Sequence, residues 1–380
     1  MLQRPIYLDY NATTPVDAKV LEQMLPYFSE IYGNAASKTH LMGWEAEGAV
    51  DKARQQVANF LHCEKEEVLF TSGSTESCNL AIKGVFEKYK SKGDHIITVT
   101  TEHKAVLDTC AALEKKGAQV TYLPVDPEGM IDLAALKKAI TEKTILVCVM
   151  AANNETGVLQ PLEEISKIVR TNNSLLFCDA TQAAGKMRID VNEMRADLLC
   201  ISAHKFYGPK GIGALYVRRK DPRVILQAQI DGGGHERGLR SGTLNVPGIV
   251  GLGKACEIAE SELWDINTKI SALRAKLEHY LLDIEGVRIN GSTRTRLYNT
   301  SNICFSGTKA DHILSKINSR VCATTGSACS SALTQPSHVL KAMGLSDEDA
   351  YSSIRFSLGK YTTEEEIEET ISLLKYVLAK

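Results

Sequence analysis

Between residues 44 and 260 the apolar positions follow two alternating rhythms. Ala46, Ala49, Val50, Ala53, Val57 and Leu61 recur at helical spacing, and "EVLFTSG" then reads as a strand running into a turn. Short apolar runs follow at 95–99, 144–150, 175–180, 198–202 and 213–217. Several are continuous rather than alternating, the pattern of strands covered on both faces. Helical segments at Leu133–Ile140 and Leu162–Val169 separate them, which predicts an α/β fold with a mainly parallel central sheet. The last third changes character. Glu262–Ile284 reads as one long amphipathic helix, followed by strand-like "VRIN", "TSNICFS" and "SRVCATT". The final helix spans Thr363–Leu378: Thr363 and Glu366 form a capping-box pattern, and Ile367, Ile371, Leu374 and Leu378 form its stripe. The expected division is a large α/β domain over 15–260, with 1–14 and 261–380 forming a smaller α+β domain.

Bulk properties narrow the class. A chain of 380 residues is too long for one ordinary core, and 44% hydrophobic with 24% charged residues is ordinary for a globular protein. A net charge of −2 provides no basic footprint for nucleic acid. No apolar run is long enough to span a bilayer, and no signal-peptide core follows Met1, so a cytoplasmic protein without membrane association is expected. Ten cysteines without a CxxC pair point to reduced, mostly buried thiols rather than a disulfide framework or a metal site.

Candidate chemistry collects just after strands, where open α/β sheets gather ligands. "TSGSTES" follows the strand at 68–70 and precedes a helix expected near Asn79. Ser74 and Thr75 there either cap that helix or help offer N–H groups to a phosphate. His103 follows the strand at 95–99 and is open between ligand, base and surface histidine. Asp179 ends the strand at 175–178 with Gln182 three residues on. It either caps a helix or faces a cationic ring nitrogen. Ser202, His204 and Lys205 follow the strand at 198–201, and Lys205 lies closer to that strand end than Lys210. An anion cradle, an acid, a histidine and a lysine match the needs of pyridoxal 5′-phosphate. That cofactor requires a phosphate site, an acid opposite its pyridinium nitrogen and a lysine for its Schiff base.

Ten blocks in register carry a family resemblance: "YLDYNATTP", "GNAASKTH", "TSGSTESCNLAIKG", "TEHKAV", "NNETG", "DATQAAGK", "SAHKFYGPKGIG", "GGGHERGLRSGT", "GSACSS" and "SSIRFSLGK". From Tyr7 to Lys360 the chain resembles the cysteine desulfurases of the NifS/IscS group. These are pyridoxal-phosphate enzymes of the aspartate-aminotransferase fold (fold type I). The resemblance implies that Lys205 carries the cofactor and that Ser74, Thr75, Ser202 and His204 hold its phosphate. It places Thr243 at the phosphate of a neighbouring subunit, and so implies a homodimer. It pairs Asp179 with the ring nitrogen and Gln182 with the ring hydroxyl, and has His103 stack on the ring and handle protons. Asn154 and Arg355 would bind the substrate carboxylate.

Cys329 lies in a stretch, about 324–335, dominated by Gly, Ser, Ala and Thr, which is loop composition. The resemblance makes it the thiol that takes sulfur from L-cysteine, leaving L-alanine. "TTGSACSS" resembles the long-loop class, which passes persulfide to sulfur-acceptor or scaffold proteins, although it departs from the commoner Ser-Ser-Gly-Ser-Ala-Cys-Thr-Ser. Two rivals stand beside this reading. One is another pyridoxal-phosphate enzyme of the same fold, a selenocysteine lyase or an aminotransferase. The other is a non-catalytic sulfur-transfer scaffold.

Overall fold

The structure is a computed structural model that describes residues 4–326 and 335–378. Its strands, in chain order, are β1 (Ile6–Tyr7), β2 (Val68–Thr71), β3 (His95–Val99), β4 (Gln119–Leu123), β5 (Thr144–Cys148), β6 (Leu175–Asp179), β7 (Leu198–Ser202) and β8 (Gly213–Val217). They continue with β9 (Val287–Ile289), β10 (Thr300–Phe305), β11 (Val321–Cys322) and β12 (Ser353–Ser357). Seven form the large sheet in the order β2-β8-β7-β6-β5-β3-β4. Only β8 runs antiparallel to its neighbours, so the sheet is mainly parallel as expected.

Both faces of this sheet are covered, which explains the continuous apolar runs. Phe70, Val147, Leu176, Leu199 and Ile201 pack on one side with the helix Leu41–Leu61. Leu69, Leu146, Phe177, Leu198 and Leu215 pack on the other with the helix Ser74–Tyr89. Alternate residues of each strand thus enter different cores, and neither face is left for water. β4 was not foreseen. It lies at the sheet edge, with Gln119 exposed and its next three residues half-buried, so its sequence lacks the apolar run of a central strand.

Two helix starts also differ from expectation. The helix expected near Asn79 begins at Ser74. The helix expected from Glu262 runs unbroken from Val246 to Leu282. Its first part, through Ala259, joins the large sheet's core; from Ile270 it joins a separate core with Phe305, Phe356 and Leu374. Val246–Ala259 is buried on most sides, so it shows no amphipathic stripe in the sequence. β12, β10 and β9 form an antiparallel sheet within that second core, while β1 pairs with β11. The final helix spans Glu364–Leu378. Thr363 and Glu366 make both reciprocal bonds of the capping box, at 3.0 and 3.3 Å.

Candidate active site

The strand ends of the large sheet open onto a cavity of about 270 Å³. Ser74, Thr75, His103, Asn154, Asp179, Gln182, His204, Lys205 and Arg355 line it together with Asn11 and Gly326. Nine residues singled out in the sequence therefore meet in one place. Ser202 is buried and outside the lining, beside the Gly73 turn: a Cβ on Gly73 would lie 3.6 Å from its Oγ. Thr243 is exposed and outside the lining, and Lys210 is an exposed turn residue. Cys329 lies outside the described residues.

The phosphate-side wall is backbone architecture. Gly73 precedes the helix Ser74–Tyr89 at φ 147°, which favours glycine, and no side chain caps that helix. Ser74 and Thr75 are its first two residues rather than a separate turn. A helix N-terminus with uncapped N–H groups favours an anion. A Cβ on Gly213 would sit 2.8 Å from the Gly73 Cα, so the turn is pressed onto β8. Glu76, in the first turn, accepts from the Ser72 N–H at 2.8 Å and from Arg240 at 2.7 Å. Burial raises its pKa, but these donors outweigh it and hold the carboxyl below its ordinary range.

The remaining strand ends supply ionisable groups. Asp179 closes β6, and its Oδ1 accepts from the Thr181 N–H at 2.9 Å. The Cys200 thiol also points at that oxygen from 3.4 Å, and burial pushes this thiol well up, which keeps it protonated. Lys205 sends its amine to the carbonyls of Asn11 and Ala12, 2.8 Å from each. His103 caps its helix by accepting the Ala105 N–H at Nδ1, which leaves Nε2 as the protonated nitrogen of its neutral ring. Burial and the charge on Lys205 lower its pKa against the opposing pull of Asp179. His204 is lowered to about 4, by burial first and then by Lys205, Lys210 and Lys186.

The opposite wall comes from the smaller sheet. Arg355, on β12, reaches the Asn154 carbonyl at 2.9 Å and Asp9 at 2.6 Å. Its Nε is buried without a hydrogen-bond partner among the described residues. Arg355 also pairs through its backbone with Thr324, where the cysteine-bearing stretch begins. Glu155 lies against Gly326 and bonds Ser337, on either side of Cys329 in the sequence. Its carboxylate accepts from Ser337 at 2.5 Å, and a Cβ on Gly326 would lie 2.8 Å from the same oxygen.

Asp9, Asn11, Glu102, Glu155 and Lys186 were not picked out from the sequence. Glu102 is fully buried, with one carboxyl oxygen on the Met150 N–H at 2.6 Å and the other without a partner among the described residues. Burial, then the charge of Asp179, raises its pKa well above the carboxylate range. The signal available was position, since Glu102 and Glu155 stand beside His103 and Asn154 inside quoted blocks.

Residues 6–370 match the aminotransferase class-V family. The chain is 53% identical over 371 residues to a protein named cysteine desulfurase IscS from Anaeromyxobacter sp. (strain Fw109-5), covering 97% of this chain and 91% of the relative. The chain belongs to the class-V aminotransferase family, in its NifS/IscS cysteine desulfurase branch. A solved structure of a NifS-like protein superposes with a TM-score of 0.92 at 40% identity, covering 99% of both chains. Another, described as SspA in complex with cysteine, superposes at 0.83 with 38% identity, covering 94% of this chain and 100% of that one. The branch uses pyridoxal phosphate, and the cavity fits that group. It combines an uncapped helix N-terminus held by an obligate glycine, a carboxylate, a lysine amine and a histidine within one pocket.

Proposed function

We propose that this enzyme converts L-cysteine to L-alanine and loads the released sulfur onto Cys329. The observation that carries the reading is the convergence on one cavity of Lys205, Asp179, His103 and the Ser74 helix end with Arg355 and Gly326, three residues before Cys329. Pyridoxal phosphate bound there supplies an electron sink for the substrate Cα–H bond. Ser74, Thr75, Ser202 and His204 would hold its phosphate, Asp179 its ring nitrogen and Gln182 its ring oxygen. Lys205 would carry the cofactor and take the Cα proton at Nζ. Arg355 and Asn154 receive the substrate carboxylate, for which the planar guanidinium is suited. Neutral His103 holds or passes a proton at Nε2. The Cys329 thiolate attacks the substrate sulfur, the S–S bond forms as the Cβ–S bond breaks, Cβ gains a proton, and Cα regains the one held at Lys205 to give alanine.

The active assembly is a homodimer, in which Thr243 of one subunit approaches the phosphate of the other. An exposed apolar run supports this: Leu21, Leu25, Phe28, Tyr32, Leu41 and Trp44 all face solvent in the single chain. The segment presenting Thr243 is also firmly built, because buried Glu236 accepts from Arg54 at 2.6 Å and from the Phe70 N–H at 2.8 Å. The large unit, 15–260, carries the cofactor; 1–14 and 261–380 carry the substrate arginine and the sulfur-accepting thiol. No helix among the described residues is long and apolar enough to cross a membrane. The enzyme works in the cytoplasm and hands persulfide to acceptor or scaffold proteins, for iron–sulfur cluster assembly or another thio-modification.

Peptide mapping after a brief L-cysteine pulse tests the assignment. The extra sulfur is expected on the peptide containing Cys329, with alanine formed in equal amount. Cys329→Ser should still bind cofactor and L-cysteine but make neither persulfide nor sulfide. Sulfur on another cysteine, or alanine at the wild-type rate from Cys329→Ser, overturns it.

A further inference from the structure

Lys186 is a buried lysine with no part in the reaction as described. It closes the "DATQAAGK" turn after β6, and its side chain folds back on that turn. Its amine donates to the Gln182 carbonyl at 3.1 Å and to the Gln182 Oε1 at 3.0 Å. Gly185, at φ +72°, makes the return possible. A Cβ there would lie 2.4 Å from Phe206 Cβ, so the turn is packed hard against that ring. Lys186 itself is only 6% exposed.

The Lys186 amine donates to Oε1 and the Asn11 carbonyl can only accept, so the two contacts agree on which end of the Gln182 amide is which. With Oε1 turned to Lys186, the amide nitrogen becomes the other end. One of its hydrogens goes to the Asn11 carbonyl at 2.9 Å. That same carbonyl accepts from Lys205 at 2.8 Å, so the Lys186, Gln182 and Lys205 side chains belong to one bonded chain. Gln182 lines the cavity and, among the described residues, has its second N–H left to offer there. A flipped amide would set its oxygen against the Asn11 carbonyl and leave two donors against the Lys186 amine.

We propose that Lys186 is a positioning residue that locks the Gln182 amide with its N–H, rather than its oxygen, facing the cofactor ring oxygen. The proposal rests on the assignment of Gln182 to that oxygen. An N–H donor favours the ionised form of a ring oxygen, whereas an amide oxygen would repel it. Lys186 is an economical means to this end, because nothing else near Oε1 is bonded to it among the described residues. Burial, then the charges of Lys205 and Arg355, lowers its pKa to about 7. The fold therefore keeps a lysine in a place where its charge is disfavoured, which fits a requirement for donors there.

The test uses holoenzyme and the pH midpoint of the cofactor's visible absorption change. Lys186→Met should raise that midpoint by about half a pH unit to one unit, the size expected for one lost hydrogen bond. Gln182→Ala should raise it as well, and the double variant should match Gln182→Ala alone. Lys186→Arg, which keeps donors and charge, should restore part of the wild-type value. In apoprotein labelled with ¹⁵N-glutamine, Lys186→Met should move the Gln182 side-chain amide pair. A midpoint unchanged in Lys186→Met, or a shift of undiminished size when Gln182 is already Ala, overturns the proposal; the latter would mean a through-space charge effect. A midpoint unchanged in Gln182→Ala removes the underlying assignment. An unmoved amide pair in Lys186→Met removes the Lys186–Gln182 link alone. Should Lys186→Met not fold, Lys186→Gln brings an acceptor to the same place and is read the same way.

Discussion

The two walls of the cavity are built by different means. On the large-sheet wall, functional groups stand at strand ends, and Asp179 and His103 are fixed by bonds to near neighbours in sequence, while Lys205 and Gln182 also reach the Asn11 carbonyl. Asp179 accepts from Thr181 and His103 from Ala105, each two residues away. On the opposite wall the bonds join distant segments: Arg355 to Asp9 across 346 residues, Arg355 to Asn154 across 201, Ser337 to Glu155 across 182. The first wall is set mainly by the sheet, with the segment 11–13 completing the surroundings of Lys205, Gln182 and His204. The second exists only when the two cores are joined, and its central cation already has an anionic partner. Changes on the first wall should therefore act on turnover, where preorganised charge matters most. Changes on the second should act on substrate affinity and on stability.

The sharpest break is at Lys205. Lys205→Ala is expected to fold and to lose turnover by at least about three powers of ten, as removal of the nucleophile and base together should. Borohydride reduction of the wild type should fix the cofactor to the peptide carrying Lys205; a label on Lys210 would break the first-wall assignment. Asp179→Ala is next, with an expected loss of about two to four powers of ten in kcat and little change in KM. A kcat within about threefold of wild type would remove Asp179 from its role.

Arg355 tests the second wall. Its side chain is 4% exposed and that of Asp9 18%, so Arg355→Ala leaves a mostly buried carboxylate unpaired. A stability loss on the order of 3 kcal/mol is expected from urea unfolding. Arg355→Lys keeps the charge but loses the fork. KM for L-cysteine should rise about 10- to 100-fold, the value of a charge-assisted pair of hydrogen bonds, with kcat less affected. A fall in kcat with KM unchanged would erase the distinction between the walls.

The same contrast explains what could be read from the sequence. Continuous apolar runs marked β3, β5, β6, β7 and β8, and the strand-end rule then pointed to His103, Asp179 and Lys205 without any partner being known. The runs marked central strands only, which is why edge strand β4 was missed. Ser74 and Thr75 were placed in a loop because a polar first turn looks like one, and its cap is Gly73, whose backbone angle no composition reveals. Asp9, Asn11 and Glu155 carry no local pattern. Each is a polar residue whose reason for burial is a partner far along the chain, as Asn11 shows with Thr300 at 2.9 Å. Arg355 was assigned by family resemblance, and its pairing with Asp9 was not foreseen.

The smallest expected effect concerns His204 on the first wall. Its Nδ1 lies 3.1 Å from Thr13 Oγ1, and burial with the charges of Lys205, Lys210 and Lys186 depresses its pKa to about 4. An unfolded histidine titrates near 6.5. Between about pH 6.5 and pH 4 the unfolded chain therefore binds a proton that the folded chain refuses, so stability falls as pH falls through that window and levels off below it. His103, lowered mainly by burial, acts in the same direction. Glu102 acts oppositely: its raised pKa gives stability at low pH that is lost as pH rises above the ordinary carboxylate value. Wild type alone cannot separate these groups, but a difference can. Urea midpoints of apoprotein at pH 7 and pH 5 should fall less in His204→Gln than in wild type, because glutamine has no proton to refuse. Parallel losses in the two proteins would show that His204 is free to protonate. The strand-end wall would then be more open to water than the burial of His204 implies.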